Sequence, residues 1–235
     1  MTDKPIGQWR KGTAEPQTLR SGRHQLSREE VLASQRGRIM RAALLELGSR
    51  GAGAMTVGGL VERAKVSKKT FYENFEGLDS CVAESLQTLN ILVGGEMASA
   101  ADKADRSQPF ARLRAVVAEL LAAAVDEPVV ATALLASGFG LEEENAQAWL
   151  QFDDIRTKLA ISWYEDERNR TPDLPPTNFA RANAAFAALE YAVLRLLVAG
   201  QQGELSDQVN EVTALLVEIM SCLLYTSDAA DDTPC

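Results

Sequence analysis

Apolar residues recur every three or four positions along most of the chain, a spacing that predicts helices. The pattern is clearest in residues 55–75, where two short amphipathic segments follow one another. In the second segment Phe71 and Phe75 lie four residues apart and therefore share one face. Residues 65–66 separate the segments, so this stretch predicts two helices joined by a tight turn. The first segment has one apolar face, formed by Val57, Leu60, Val61 and Ala64.

Hydroxyl side chains stand where each of these two helices would begin. Thr56 precedes the first and Ser67 the second, and each can accept a hydrogen bond from a free N–H group of the first turn. A short helix with a polar outer face can enter the major groove of DNA, which is about 12 Å wide. The alternative is a solvated amphipathic hairpin, which we disfavour because the flanking sequence also fits a DNA-binding domain. The polar face of the second helix carries Lys69, Tyr72 and Glu73, with Lys68 and Thr70 on its flanks.

The rest of the chain is also predicted to be helical. No stretch shows the strict alternation of a half-buried strand. Hydrophobic residues make up 46% of the 235 residues, which is enough for a substantial core, and alanine and leucine are far commoner than proline. We therefore predict an all-α fold of about nine helices. Apart from the two short segments, the apolar stripes predict helices near 27–50, 79–100, 110–121, 128–138, 142–168, 178–199 and 205–221.

The charge is divided unevenly along the chain. Residues 1–75 hold 14 Lys and Arg against 7 Asp and Glu, a net charge of +7, whereas the remainder carries −16 and the whole chain −9. A basic N-terminal part can neutralise phosphates and release their counterions. The acidic remainder would stay off the DNA. The basic N-terminal part thus favours a nucleic-acid partner, although the net charge of the whole chain is negative.

Residues that could bind a metal or act in catalysis are sparse. The single histidine, His24, lies in a polar N-terminal arm, and the three cysteines show neither disulfide nor metal-ligand spacing. We therefore predict no metal, no cofactor and no enzyme activity. The acidic run at 142–144 is better explained as charge at the positive start of a helix than as acid–base catalysts. With no signal peptide and no uncharged apolar run of about 18 residues, we expect a cytoplasmic protein outside the membrane.

Residues 35–81 resemble the N-terminal DNA-binding domain of the TetR family of transcriptional regulators. The matching pieces are the first helix around Ile39 and Leu47, the Met-Thr-Val start of the second helix, and the run Ala64–Phe75. The resemblance implies a homodimer whose two recognition helices lie about 34 Å apart on a near-palindromic operator in double-stranded DNA. It also implies that N–H groups beside Thr56 meet a phosphate, and that the other DNA contacts come from Ser67, Lys68, Lys69, Thr70, Tyr72 and Asn74.

Three departures from the family pattern bear on affinity. Lys65 stands at the turn where the family commonly has glycine, and in a left-handed conformation it would cost roughly 1 kcal/mol relative to glycine. Leu78 replaces a lysine that commonly binds phosphate. Gly58 and Gly59 weaken the helix before the turn by up to about 1 kcal/mol each relative to alanine.

The C-terminal part is predicted to bind an effector and to form a dimer, as the resemblance implies. Aromatic residues at helical spacing are the candidate lining of an effector pocket, although such residues are more often plain core: Phe110, Phe139, Trp149, Phe152 and Trp163. The last two helices carry broad apolar faces that predict a four-helix dimer interface, with Phe179, Phe186, Leu189, Val193, Leu197, Val212, Leu216 and Ile219.

The predicted organisation has four parts. A disordered basic arm occupies 1–26, the helix-turn-helix domain 27–77, and the effector-binding and dimerisation domain 78–221. Residues 222–235 resemble a translated sequencing adapter, so we exclude this tail from the fold and expect the natural C-terminus to be missing.

The predicted function is that of a ligand-responsive DNA-binding transcriptional regulator, a repressor that leaves its operator when a small molecule binds. The alternative is a helical small-molecule-binding protein with weakened or lost DNA binding.

Overall fold

The computed structural model describes residues 28–136, 143–201 and 203–222, and all regular structure in these ranges is helical. The predicted all-α fold is confirmed, and the described ranges hold nine α-helices and one short 3-10 helix. The 3-10 helix is Ala52–Ala54, and the α-helices are α1 Arg28–Arg50, α2 Val57–Ala64, α3 Lys68–Asn74, α4 Leu78–Lys103, α5 Ala111–Asp126, α6 Pro128–Ala136, α7 Glu143–Arg168, α8 Phe179–Ala199 and α9 Leu205–Ser221.

The chain forms two compact units, each of which is discontinuous in sequence. Among the described residues, the first combines 28–96 with 122–136 and 143–150, and the second combines 97–121 with 151–201 and 203–222. The first unit therefore extends beyond the helix-turn-helix and takes in α6. The predicted domain boundary at residue 77 stays a prediction, and the arm 1–26 lies outside the described residues.

The first unit has one apolar core, to which α1, α2, α3, α4 and α6 all contribute. The inward stripe predicted for α1 is buried, as are the apolar face of α2 and both phenylalanines at the recognition helix. This core fixes the helix-turn-helix against the longer helices. Its central members are Ile39, Ala43, Leu47, Leu60, Val61, Ala64, Phe71, Phe75, Leu86 and Val130.

Helix α6 packs closely against α1. A Cβ atom added at Gly48 would lie only 1.9 Å from the carbonyl oxygen of Val129, so only glycine fits this crossing. Seven residues earlier in α1, Nη2 of Arg41 lies 3.1 Å from Oε1 of Glu127, the residue before α6. The absence of a side chain at Gly48 and the Arg41–Glu127 ion pair thus hold the start of α6 against α1.

In the second unit α8 and α9 pack against each other, and Phe186, Leu189 and Leu216 of these helices are buried. By length and composition alone α8 is long and apolar enough to cross a membrane. The signal is weak because the core helix of a soluble protein passes the same test. Helix α8 also carries Arg181, Glu190 and Arg195.

Candidate nucleic-acid interface

Both predicted caps of the helix-turn-helix are confirmed. Oγ1 of Thr56 accepts a hydrogen bond from the N–H of Gly59 at 3.1 Å, at the start of α2. Oγ of Ser67 accepts one from the N–H of Thr70 at 3.0 Å, at the start of α3. Each bond satisfies an orphan donor of a helix too short to be stable alone.

The turn between α2 and α3 has a left-handed conformation, the condition under which Lys65 was expected to cost stability. Lys65 has φ 53° and ψ 46°, and its N–H donates to the carbonyls of Glu62 and Val61. The N–H of Val66 donates to the carbonyl of Val61 at 3.0 Å, which completes a Schellman-type ending. A lysine adopts this conformation at a cost of roughly 1 kcal/mol relative to glycine.

The predicted contact residues of α3 divide into two groups. Lys68, Lys69 and Tyr72 are exposed, and Tyr72 leaves 59% of its surface accessible. The ring of Tyr72 meets the buried ring of Phe71 edge-on at 5.2 Å, which aims the phenol away from the core. These three side chains point to solvent, and their contact with DNA stays a prediction.

The other predicted contact residues hold one another within the helix. Oγ1 of Thr70 lies 2.9 Å from Oγ of Ser67, and Nδ2 of Asn74 donates to the carbonyl of Thr70 at 2.8 Å. Thr70 and Asn74 are half-buried, whereas Ser67 is exposed. Their first role is thus to shape α3, and their contact with DNA stays a prediction.

Arg36, which the sequence did not single out, anchors the recognition helix. Its Nη1 donates to the carbonyl of Asn74 at 2.5 Å, the last residue of α3, while Nε and Nη2 both donate to the carboxylate of Glu84 in α4. Its guanidinium also lies 4.3 Å from the ring centre of Phe75. The one available signal was spacing, since Arg36 shares a face of α1 with Ile39.

Glu46 is a second residue that the sequence did not reveal. Its side chain is only 4% exposed, and its carboxylate accepts a hydrogen bond from Nε of Arg63 in α2 at 2.5 Å. Arg50, one turn further along α1, lies 3.4 Å from the same carboxylate. Burying a carboxylate without a partner is strongly unfavourable. The two arginines compensate for the burial of Glu46, and the one from α2 links that helix to α1.

The remaining departures from the family pattern also have a structural outcome. Leu78 begins α4 and packs on the apolar core. Its side chain therefore does not supply the phosphate contact that a lysine commonly makes at this position. A Cβ at Gly58 would lie 3.9 Å from Oγ1 of Thr56, and one at Gly59 would lie 3.4 Å from the same atom, both ordinary contacts. Neither glycine is required by close packing.

The described aromatic candidates for an effector pocket all belong to the second unit. Phe110 has φ 53° and lies 6.2 Å from the ring of Tyr164, whose hydroxyl donates to the carbonyl of Pro175. Trp163 is buried, and Phe152 is half-buried with its ring centre 5.0 Å from the guanidinium of Arg156. Phe139 and the side chain of Trp149 lie outside the described part of the chain. The pocket stays a prediction.

The candidate dimer residues occupy two environments. The core of the second unit already buries Phe186, Leu189, Val193 and Leu216, and Leu189 is only 1% exposed. Leu197, Val212 and Ile219 are half-buried, and Phe179 is exposed. Other apolar side chains of α8 and α9 are more exposed, namely Tyr191, Leu194, Val198 and Leu215.

The geometry of residues 56–75 is that of a helix-turn-helix, a DNA-binding element. Residues 39–84 match the sequence model described as bacterial regulatory proteins, tetR family. This part of the chain is thus similar to the DNA-binding domain of the TetR family, as the resemblance in the sequence predicted.

Solved structures share the fold over most of the chain. The fatty acid degradation regulator FadR from Bacillus halodurans is 14% identical with a TM-score of 0.69, covering 82% of this chain and 97% of its own. The transcriptional regulator FadR from Bacillus subtilis, solved in complex with stearoyl-CoA, is 14% identical with a TM-score of 0.67, at 77% and 97% coverage. A TetR-like regulator from Rhodococcus sp. RHA1 is 17% identical with a TM-score of 0.63, at 83% and 96% coverage. No curated protein matches the sequence.

Proposed function

We propose that this protein is a transcriptional repressor that binds DNA as a homodimer and leaves its operator when a small molecule binds the second unit. The observation that carries the proposal is the outward face of α3, where Lys68, Lys69 and Tyr72 project from a capped helix inside a TetR-family domain. Two ammonium groups at the N-terminal end of a recognition helix can reach base edges and phosphates.

The proposed dimer forms through an exposed apolar stripe on α8. Tyr191, Leu194 and Val198 follow at spacings of three and four, so they share one face, and Val198 leaves 80% of its surface accessible. Leu215 of α9 is also exposed. A second copy of the chain would cover these side chains and set two recognition helices about 34 Å apart on a near-palindromic site.

The proposed effector is an apolar small molecule. Two half-buried aromatic residues, Phe110 and Phe152, and the buried Trp163 give the second unit aromatic side chains of the kind that line sites for such ligands. One structural neighbour binds stearoyl-CoA, and we extend to this protein only the class of ligand, one with a large apolar part. Binding would act by favouring a state whose recognition helices no longer match the operator spacing.

A second function is favoured by Lys65 and Leu78. The strained turn and the missing lysine both lower affinity for DNA, so the protein could be a small-molecule binder that has lost its operator. The two functions differ in one observable property, namely whether the full chain binds duplex DNA with a steep dependence on salt.

The deciding experiment measures binding of the full chain to a fluorescent duplex taken from upstream of its own gene. The repressor should lose affinity as salt rises, with a slope near −0.9 for each phosphate neutralised. Replacing Lys68 and Lys69 together by alanine should flatten this slope and weaken binding. The matched control replaces Lys103 and Lys158, which are exposed lysines of the second unit. Equal affinity of the wild type and the α3 variant would contradict the proposal.

A further inference from the structure

An acidic side chain lies on the face of α3 that is proposed to read DNA. Glu73 follows Lys69 by one helical turn, and its Oε1 lies 3.8 Å from Nζ of Lys69. The side chain of Glu73 is 51% exposed, and the neighbouring Tyr72 points to the same solvent. An exposed pair of this kind adds little to stability, so stability does not explain why a carboxylate stands here.

A carboxylate on this face restricts what α3 can bind. It is repelled by phosphates and, when ionised, it only accepts hydrogen bonds. In the major groove the base donors are the amino groups at N4 of cytosine and N6 of adenine. Glu73 therefore makes a favourable contact with DNA only where one of these amino groups lies opposite it.

We propose that Glu73 determines sequence specificity by accepting a hydrogen bond from N4 of a cytosine, while Lys69 donates to the guanine paired with it; this assignment rests on the proposed function. A G·C pair presents guanine N7 and O6, two adjacent acceptors, beside the cytosine donor. The ion pair presents an ammonium beside a carboxylate at 3.8 Å, which is the complementary arrangement. In an A·T pair the amino group separates the two acceptors, so the ammonium meets only one of them.

The same carboxylate lowers affinity for unrelated DNA. On a sequence without the matching amino group, Glu73 faces acceptors or phosphates and offsets part of the attraction of Lys68 and Lys69. Specificity then comes from a repulsive element as well as an attractive one.

The test selects DNA from a pool of duplexes with randomised half-sites, using the full chain and two variants with the same change of charge. Glu73→Gln removes the charge on α3, whereas Glu76→Gln removes an exposed charge two residues beyond the helix. Wild type should enrich G·C at one position in each half-site. Glu73→Gln should lower that preference about tenfold and shift the position toward A·T, because glutamine pairs with adenine. Glu76→Gln should keep the wild-type preference, and Lys69→Ala should relax the same position.

Two results would overturn the assignment. One is a bound pool of Glu73→Gln with the base preferences of wild type, and the other is enrichment of A·T by wild type at the position where the two pools differ. If the wild-type chain bound no duplex even at low salt, the proposed function would fail, and the assignment would fall with it. Both variants alter exposed side chains, and circular dichroism melting should leave their midpoints within a degree or two of wild type.

Discussion

Arg36 and Glu84 are 48 residues apart in the sequence, yet Nε and Nη2 of Arg36 both donate hydrogen bonds to the carboxylate of Glu84. The same guanidinium donates to the last carbonyl of α3 and covers the ring of Phe75. One side chain therefore links α1, α4 and the C-terminal end of the recognition helix. The orientation of α3 depends on a residue that does not itself lie on the proposed DNA face.

Replacing Arg36 by alanine should destabilise the first unit by about 1–2 kcal/mol, since it removes a charged hydrogen bond, an ion pair and a cation–π contact that are all partly exposed. Urea unfolding measures this loss. DNA affinity should fall with little change in the salt slope, because Arg36 is not proposed to neutralise a phosphate. Arg114→Ala, at an exposed position of α5, serves as the control. Equal losses for the two variants would contradict the anchoring role.

The crossing of α1 and α6 predicts opposite effects for two glycines of one helix. Gly48→Ala places a Cβ against the Val129 carbonyl and should destabilise by about 1–3 kcal/mol through overpacking. Gly37→Ala meets nothing within 4 Å and should stabilise α1 by up to about 1 kcal/mol. Thermal melts of the two variants should therefore move in opposite directions. A neutral Gly48→Ala would mean that α6 does not lie against α1 in solution.

The exposed stripe of α8 predicts a charge-sensitive dimer. Val198→Glu adds a charge at a position that is already open in one protomer, so each chain should stay folded while two chains no longer associate. Light scattering after gel filtration would then give the mass of a monomer. Ile155→Glu, at another exposed apolar position in the second unit, should remain dimeric. A dimeric Val198→Glu would place the interface elsewhere.

Cys81 predicts a loss of stability at alkaline pH. Burial raises the pKa of its thiol from 9.0 to about 12. The unfolded chain releases this proton above pH 9 and the folded chain does not, so the thiol's contribution is complete below pH 9 and is lost as pH rises toward 12. At pH 10, one unit above the pKa of the unfolded thiol, the loss is on the order of 1 kcal/mol. Urea midpoints at pH 8 and pH 10 should differ less for Cys81→Ala than for wild type, and parallel profiles would contradict the buried thiol.

Local features of the helix-turn-helix could be predicted from the sequence because they depend on neighbours in the chain. The caps at Thr56 and Ser67, and the apolar faces around Leu60 and Phe71, follow from side-chain chemistry and helical spacing. The turn at Lys65 was expected only conditionally, because a lysine gives no signal for a positive φ.

Contacts between distant parts of the chain could not be predicted from the sequence. Nothing local to Arg36 identifies Glu84 as its partner, and nothing at Gly48 indicates a helix that begins 80 residues later. Helix α8 raised a different difficulty, because it is apolar on more than one side. Its periodicity could not tell Leu189, which lies in the core of its own unit, from Val198, which stays open.

The return of residues 122–150 to the first unit has a consequence for biosynthesis. The helix-turn-helix leaves the ribosome early, but the surface of α1 at Gly48 is covered only after α6 has been made. At about 5–20 residues per second, the roughly 40 residues from Glu96 to Ala136 take about 2–8 seconds. During that interval the newly made helix-turn-helix exposes the apolar surface that Val130 and Ala133 will later cover. A chaperone can bind this surface until α6 has been made.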